Sequence, residues 1–239
     1  FRQINSDDNE LVIGNPALEP TTSMNFDVMA EHYFKSIGLV SGGVFYKDIK
    51  NFIFTQQLNN YADPVSGNTF DDFFQPLNGS SATLLGFEVS FQRQLDFLPG
   101  IWKGLGVYLN YTYNQSTTEG FGGDNRTEGV RLPGTAPHMF NASLSFETKR
   151  LVLRASFNFA DSYIDELGSS AFYDRYYDKQ MFIDLNGSYA FTKKLRLCFE
   201  VNNLTNQPLR YFQGISARTM QAEWYNVRFS AGLKFDFYK

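Results

Sequence analysis

The chain has 239 residues, a formal net charge of −4 and a single cysteine, Cys198, against 25 phenylalanines and 14 tyrosines. The absence of a basic patch argues against a nucleic-acid partner, and one thiol excludes an internal disulfide or a thiol-rich metal site. No apolar run reaches the length of about 18 residues that a membrane helix needs. A membrane is not excluded, because barrel strands alternate apolar and polar residues and cancel in averaged hydropathy.

In chain order, the first 21 residues show no signal-peptide pattern and read as the tail of a loop, beginning at a cut or processed end. Two noisier strands are predicted over 22–34 and 39–54. A long connection, 55–81, follows. Then Leu85, Phe87, Val89 and Phe91 alternate with Gly86, Glu88, Ser90 and Gln92, and Leu105, Val107, Leu109, Tyr111 and Tyr113 with Gly106, Tyr108, Asn110 and Thr112. After a second long connection near 117–137, Phe140, Ala142, Leu144 and Phe146 oppose Asn141, Ser143, Ser145 and Glu147. Leu151, Leu153, Ala155, Phe157 and Phe159 likewise oppose Val152, Arg154, Ser156 and Asn158. Beyond 161–179, Met181, Ile183, Leu185 and Tyr189 oppose Phe182, Asp184, Asn186 and Ser188, and Leu195, Leu197, Phe199 and Val201 oppose Arg196, Cys198, Glu200 and Asn202. A last long connection, 204–223, leads to Tyr225 through Phe237 on one face and Trp224 through Asp236 on the other. Period two throughout predicts nine strands and no helix.

Short links at 35–38, 149–150 and 192–194, with a medium one at 95–104, alternate with the long ones. That sorting marks an up-and-down outer-membrane barrel. A soluble β-sandwich would alternate too, but its strands average about 5–6 residues. These are about twice as long, and aromatics gather near their ends as in an interfacial girdle. The fold class is therefore all-β, a transmembrane antiparallel up-and-down barrel. Nine is an odd number, and an open sheet in lipid leaves two unpaired edges. Residues 1–239 are thus expected to form part of a larger barrel.

Several segments resemble TonB-dependent outer-membrane receptors. They are Gly14-Asn15-Pro16-Ala17-Leu18-Glu19-Pro20, Val44-Phe45-Tyr46-Lys47-Asp48, Gly86-Phe87-Glu88, Leu132-Pro133-Gly134-Thr135-Ala136-Pro137-His138 with Asn141, and Asn202-Asn203-Leu204-Thr205-Asn206. Their order spans nearly the whole chain. The resemblance implies a barrel of about 22 strands around a plug, with this chain supplying the last nine. The remainder of the same receptor, meaning plug and N-terminal strands, would be a partner. TonB would engage the missing N-terminal part, in the bacterial outer membrane. Outer-membrane lipid and a surface lipoprotein are further expected partners. One departure is the end, where Tyr238 and Lys239 follow Phe237.

On the inward faces, Arg154, Arg196, Glu200, Arg228, Lys234 and Asp236 are candidates to face the plug, or else line a solvated lumen. Cys198 shares that face and reads as an inert small side chain. Outer loops should recognise ligand. The candidates are Asp71, Asp72, Phe73 and Phe74; Phe172, Tyr173, Asp174, Arg175, Tyr176 and Tyr177; and Arg218, Glu223 and Trp224, with ordinary loop packing as the competing reading. No catalytic residue, metal or cofactor is expected, since His32 and His138 lie in no nucleophile or metal motif and neither Asp7-Asp8 nor Asp71-Asp72 has calcium-cage spacing. The function implied is active uptake of a scarce solute (glycan, peptide, metal chelate or haem), with a lean toward saccharide receptors. The alternatives are a soluble or surface-attached β-rich binding module and an outer-membrane hydrolase.

Overall fold

The computed structural model describes residues 1–120 and 129–237. A hairpin of β1 (Arg2–Asn5) and β2 (Glu10–Ile13) precedes two long strands, β3 (Thr22–Tyr33) and β4 (Gly38–Lys50). A second hairpin, β5 (Ile53–Ala62) and β6 (Thr69–Asn78), leads to β7 (Ser81–Gln94). A 3₁₀ turn, Gly100–Gly104, then leads to β8 (Leu105–Glu119). After β9 (His138–Glu147) and β10 (Leu151–Ala160) come the short β11 (Tyr163–Glu166) and β12 (Arg175–Tyr177). The chain continues through β13 (Gln180–Ala190), β14 (Leu195–Asn202), β15 (Leu209–Gln213), β16 (Thr219–Glu223) and β17 (Arg228–Phe235).

The nine long strands make one antiparallel sheet in the order β17-β14-β13-β10-β9-β8-β7-β4-β3, a meander that forms a barrel wall. Register explains why one face carries a continuous apolar band. Val40 pairs with Phe91, Phe91 with Leu109 and Leu109 with Ala142. Ala142 pairs with Phe157 and Phe157 with Ile183, so a six-strand line holds no polar side chain. Because the side-chain period is two, a one-residue slip anywhere would turn that strand's apolar set to the other face. The face is open: Val28 is 70% exposed, Phe229 66% and Leu233 69%. Such a contiguous apolar surface fits lipid rather than water.

Glycines at two positions allow close crossings. A Cβ on Gly86 would sit 2.3 Å from the Phe45 ring and 2.2 Å from the Tyr113 carbonyl. On Gly187 it would meet Phe199 and Leu153, at 2.7 and 2.8 Å.

The long connections differ from the expected loops. They hold two four-stranded sheets, β1-β2-β6-β5 and β11-β12-β15-β16, with β2 parallel to β6. The last wall strand also starts at Arg228 rather than Trp224, because Asn226 at φ 61° interrupts the extended chain. All six non-glycine residues of positive φ among the described residues are asparagines, the residue type that best tolerates that conformation after glycine.

Candidate functional site

The buried core lies at the end of the wall where the long connections emerge. Phe52 and Phe54 from β5 and its approach, Ala82 of β7, Val130, and Ile164 and Leu167 around β11 form one cluster, each 8% exposed or less. An isolated bridge, Gln56 to Leu167, ties the two small sheets together. Stacking of Tyr176 on Phe212, with centroids 5.0 Å apart and planes at 1°, joins β12 to β15. The described parts of the four long connections therefore fold into one platform.

A second cluster, Leu11, Phe70 and Phe73, anchors the β1–β2 hairpin to β6. Phe70 and Phe73 lie three apart yet share that core. Asn60, at φ 54° in the facing strand, breaks the regular alternation there. The hairpin tip is held by Asp63, 2% exposed, which accepts hydrogen bonds from Arg2, the Ser66 hydroxyl and the Ser66 and Val65 amides. The Arg2 guanidinium, then Ser66, hold the Asp63 carboxyl well below the ordinary carboxylate range.

The outer-loop candidates separate once placed. Phe73 is 3% exposed and stacks on Tyr61 at 4.0 Å, so it is core. Asp72 accepts from Gln57 Nε2 and Asn59 Nδ2, at 2.8 and 2.9 Å, across the β5–β6 pair. Asp71 is exposed and Phe74 half-buried. Asp174 is 1% exposed and accepts from the Gly168 amide at 3.0 Å. Arg175 is bound by Asp165 and Glu166 and lies 5.0 Å from the Tyr211 ring. Burial raises the pKa of Glu166 above its ordinary value, against the pull of Arg175. Tyr176 is in the stack with Phe212, and Tyr177 packs between Tyr163 and Tyr211. Glu223 accepts from Tyr225 and Gln221, which lowers its pKa, and Trp224 is 58% exposed.

One group stands apart. The Arg218 guanidinium lies 3.6 Å over the ring of Phe172 and donates to the Phe172 carbonyl and to Gln213 Oε1, at 2.8 and 2.7 Å. Among the described residues it pairs with no carboxylate. Phe172 meets Tyr173 edge-on at 5.0 Å, and both are exposed, at 56% and 39%. Gln213 is not separable by sequence from any other loop amide; only the β15–β16 pairing brings it to Arg218.

The other face of the wall is polar. Ser41 pairs with Ser90, Ser90 with Asn110, Asn110 with Asn141 and Asn141 with Asn158, a row of hydroxyls and amides across five strands. Arg154 pairs with Asn186, Asn186 with Glu200 and Glu200 with Ser230. Arg196 pairs with Lys234, and Arg228 with Asn202. Arg154, Arg196, Glu200, Arg228, Lys234 and Asp236 are thus exposed side chains on or flanking one polar wall. Lys234 lies 3.9 Å from Asp236, and Arg196 donates to Ser188 at 3.1 Å. Arg154 lines a depression of about 430 Å³ with Asn141, Ser143, Ser156 and Asn158.

A family model described as TonB dependent receptor-like, beta-barrel matches residues 1–204. The chain belongs to the TonB-dependent receptor β-barrel family. No curated protein matches it. Among solved structures, the ferric enterobactin receptor of Pseudomonas aeruginosa in complex with enterobactin is 20% identical and superposes with a TM-score of 0.60 over 95% of this chain and 33% of that one. The siderophore receptor PirA of Acinetobacter baumannii is 17% identical, with a TM-score of 0.61 over 95% and 33%. The copper transporter OprC is 15% identical, with a TM-score of 0.63 over 93% and 32%. The chain thus spans about a third of the length of these structures, which carry the fold.

Within a TonB-dependent receptor wall, the motif residues have local roles. Asn203 Oδ1 accepts from the Gln207 amide at 2.7 Å, its own amide donates to Asp184, and Thr205 Oγ1 donates to the Met181 carbonyl, so the Asn-Asn-Leu-Thr-Asn segment ends a wall strand in a fixed turn. His138 contacts the Tyr111 hydroxyl at 2.8 Å and packs on Tyr113, and His32 meets Phe34 edge-on at 5.3 Å. Among the described residues, no group of three or more His, Cys, Asp or Glu is arranged to hold a metal ion.

Proposed function

We propose that this chain is the closing part of the barrel of an active transporter in the bacterial outer membrane, which takes up a scarce metal chelate and does no covalent chemistry. The wall's long-connection end faces outward. The remaining strands of the barrel join at β3 and β17, and a plug fills the lumen against Arg154, Arg196, Glu200, Arg228, Lys234 and Asp236. TonB acts on the plug from the periplasm.

The observation that carries the solute class is Arg218 over Phe172. A cation with no carboxylate partner among the described residues, beside two exposed aromatic rings, suits a planar, anionic ligand. Tyr173 extends that surface, with Asp174, Arg175, Tyr176 and Tyr177 as its framework, whereas Trp224 follows the opposite end of β16 and Phe73 belongs to the core of the other small sheet. The superposable siderophore receptors and copper transporter favour a chelate over a saccharide. The test is uptake of radiolabelled ferric chelates by cells that depend on the intact receptor, with and without TonB. TonB-dependent accumulation supports the reading. Binding of saccharides with no response to any ferric chelate would replace the solute class, and uptake indifferent to TonB would overturn the mechanism.

A further inference from the structure

The turns at the opposite end of the wall have a composition that uptake does not use. In an acidic chain they carry Lys35, Lys103, Lys149, Arg150, Lys193 and Lys194 against one acid, Asp96. All six cations are exposed, and among the described residues none forms an ion pair. The flanking acids are Glu147, at the end of β9, and Asp236, which lies by Lys234. By contrast, the long connections hold more acids than bases.

The same end carries an apolar rim. Ile37 is 74% exposed, Phe97 63%, Ile101 69%, Trp102 55% and Phe191 52%. Tyr189, paired with Leu197, and Phe235, paired with Leu195, continue that rim into the lipid-facing surface of the wall. Arg93 is set into it. Its guanidinium lies 4.5 Å from the Phe34 ring and 4.9 Å from Phe97, with a buried Nε that has no hydrogen-bond partner. Aromatic side chains at the edge of an apolar band mark the height of lipid headgroups, and cations just beyond them meet phosphate.

We propose that the short-turn end of the wall is a docking collar for anionic phospholipid headgroups, which fixes the barrel's depth and gathers such lipids from the inner leaflet of its membrane. The proposal rests on the orientation given under Proposed function. Two features favour a lipid over a soluble anion. The cations are spread over four separate turns instead of converging on a pocket, and they border a continuous apolar face.

The test uses the intact receptor in bilayer discs of phosphatidylcholine alone or mixed with phosphatidylglycerol, with retained lipid counted by native mass spectrometry after detergent extraction. The wild type is expected to retain phosphatidylglycerol preferentially, with a preference that falls as salt is raised. Lys149→Ser with Arg150→Ser, and Lys193→Ser with Lys194→Ser, should each reduce it, by up to about fivefold per cation removed. Lys149→Arg and Lys193→Arg should preserve it. Equal retention of the two lipids by the wild type overturns the proposal, as does a preference untouched by the serine variants. Competition by inorganic phosphate at matched ionic strength would assign the cations to a free anion and also overturn it. A receptor that enters no disc at all would instead refute the barrel reading on which the proposal stands.

Discussion

Replacing Phe73 by alanine separates the platform from the wall. Phe73 is 3% exposed, sits between Leu58 and Leu11 in register, and stacks on Tyr61 at 4.0 Å. Removing a fully buried Phe side chain costs about 3–5 kcal/mol, including the cavity left behind. The loss falls on a small unit of β1, β2, β5 and β6, whose stability is local. At about 1.4 kcal/mol per factor of ten, a 4 kcal/mol loss raises the open population of that unit about a thousandfold. Hydrogen–deuterium exchange on the intact receptor should therefore show amides of these four strands losing protection by about that factor, while β9, β10 and β13 exchange as before. Phe73→Leu should recover most of the protection. If exchange in the hairpins is unchanged, Phe73 is not a core residue, and its alternative role as a ligand contact returns. If the wall strands lose protection equally, platform and wall are one cooperative unit and the division fails.

Three further outcomes are expected. Arg218→Ala and Phe172→Ala should each weaken chelate binding about tenfold by titration calorimetry with the platform's exchange pattern intact, since one cation–aromatic contact is worth about 0.5–2 kcal/mol. The depressed pKa of Asp63 means that its contribution to the β5–β6 tip is full above the ordinary carboxylate range and is lost as pH falls through and below that range. Asp63→Asn should abolish that acid-dependent rise in proteolysis of the tip. In the wall, Ala155→Arg places a cation among Leu144 and Leu185 on the lipid-facing side and should destabilise the bilayer-inserted barrel by about 2–4 kcal/mol in urea titrations. Ser156→Arg, one residue on, faces the polar wall and should cost little.

The wall was legible because lipid on one side and a polar lumen on the other impose the same two-residue period on every strand. Leu153 and Arg154 declare opposite faces without any knowledge of their neighbours. The platform was not legible for three reasons. β12 is only three residues long, too short to show a period. Asn60 disturbs the alternation of β5 and β6. Its cohesion also depends on partners far apart in sequence, such as Arg2 with Asp63 and Tyr176 with Phe212. Nothing in the run Asp71-Asp72-Phe73-Phe74 distinguishes the core ring from its half-buried neighbour; only the pairing of β6 with both β2 and β5 does. Arg175 and Arg218 likewise look equivalent in sequence, yet Asp165 and Glu166 neutralise the first and leave the second available.

The decisive measurement is a cryo-EM or crystal structure of the intact protein in detergent or lipid. In it, β3 and β17 should each hydrogen-bond to a further strand, closing a barrel of about 22 strands. A plug should fill the lumen with its polar groups against Arg154, Arg196 and Glu200. A nine-strand closed object, or a monodisperse particle that needs neither detergent nor lipid and has its apolar face packed within protein, would overturn the reading of this chain as part of a larger membrane barrel.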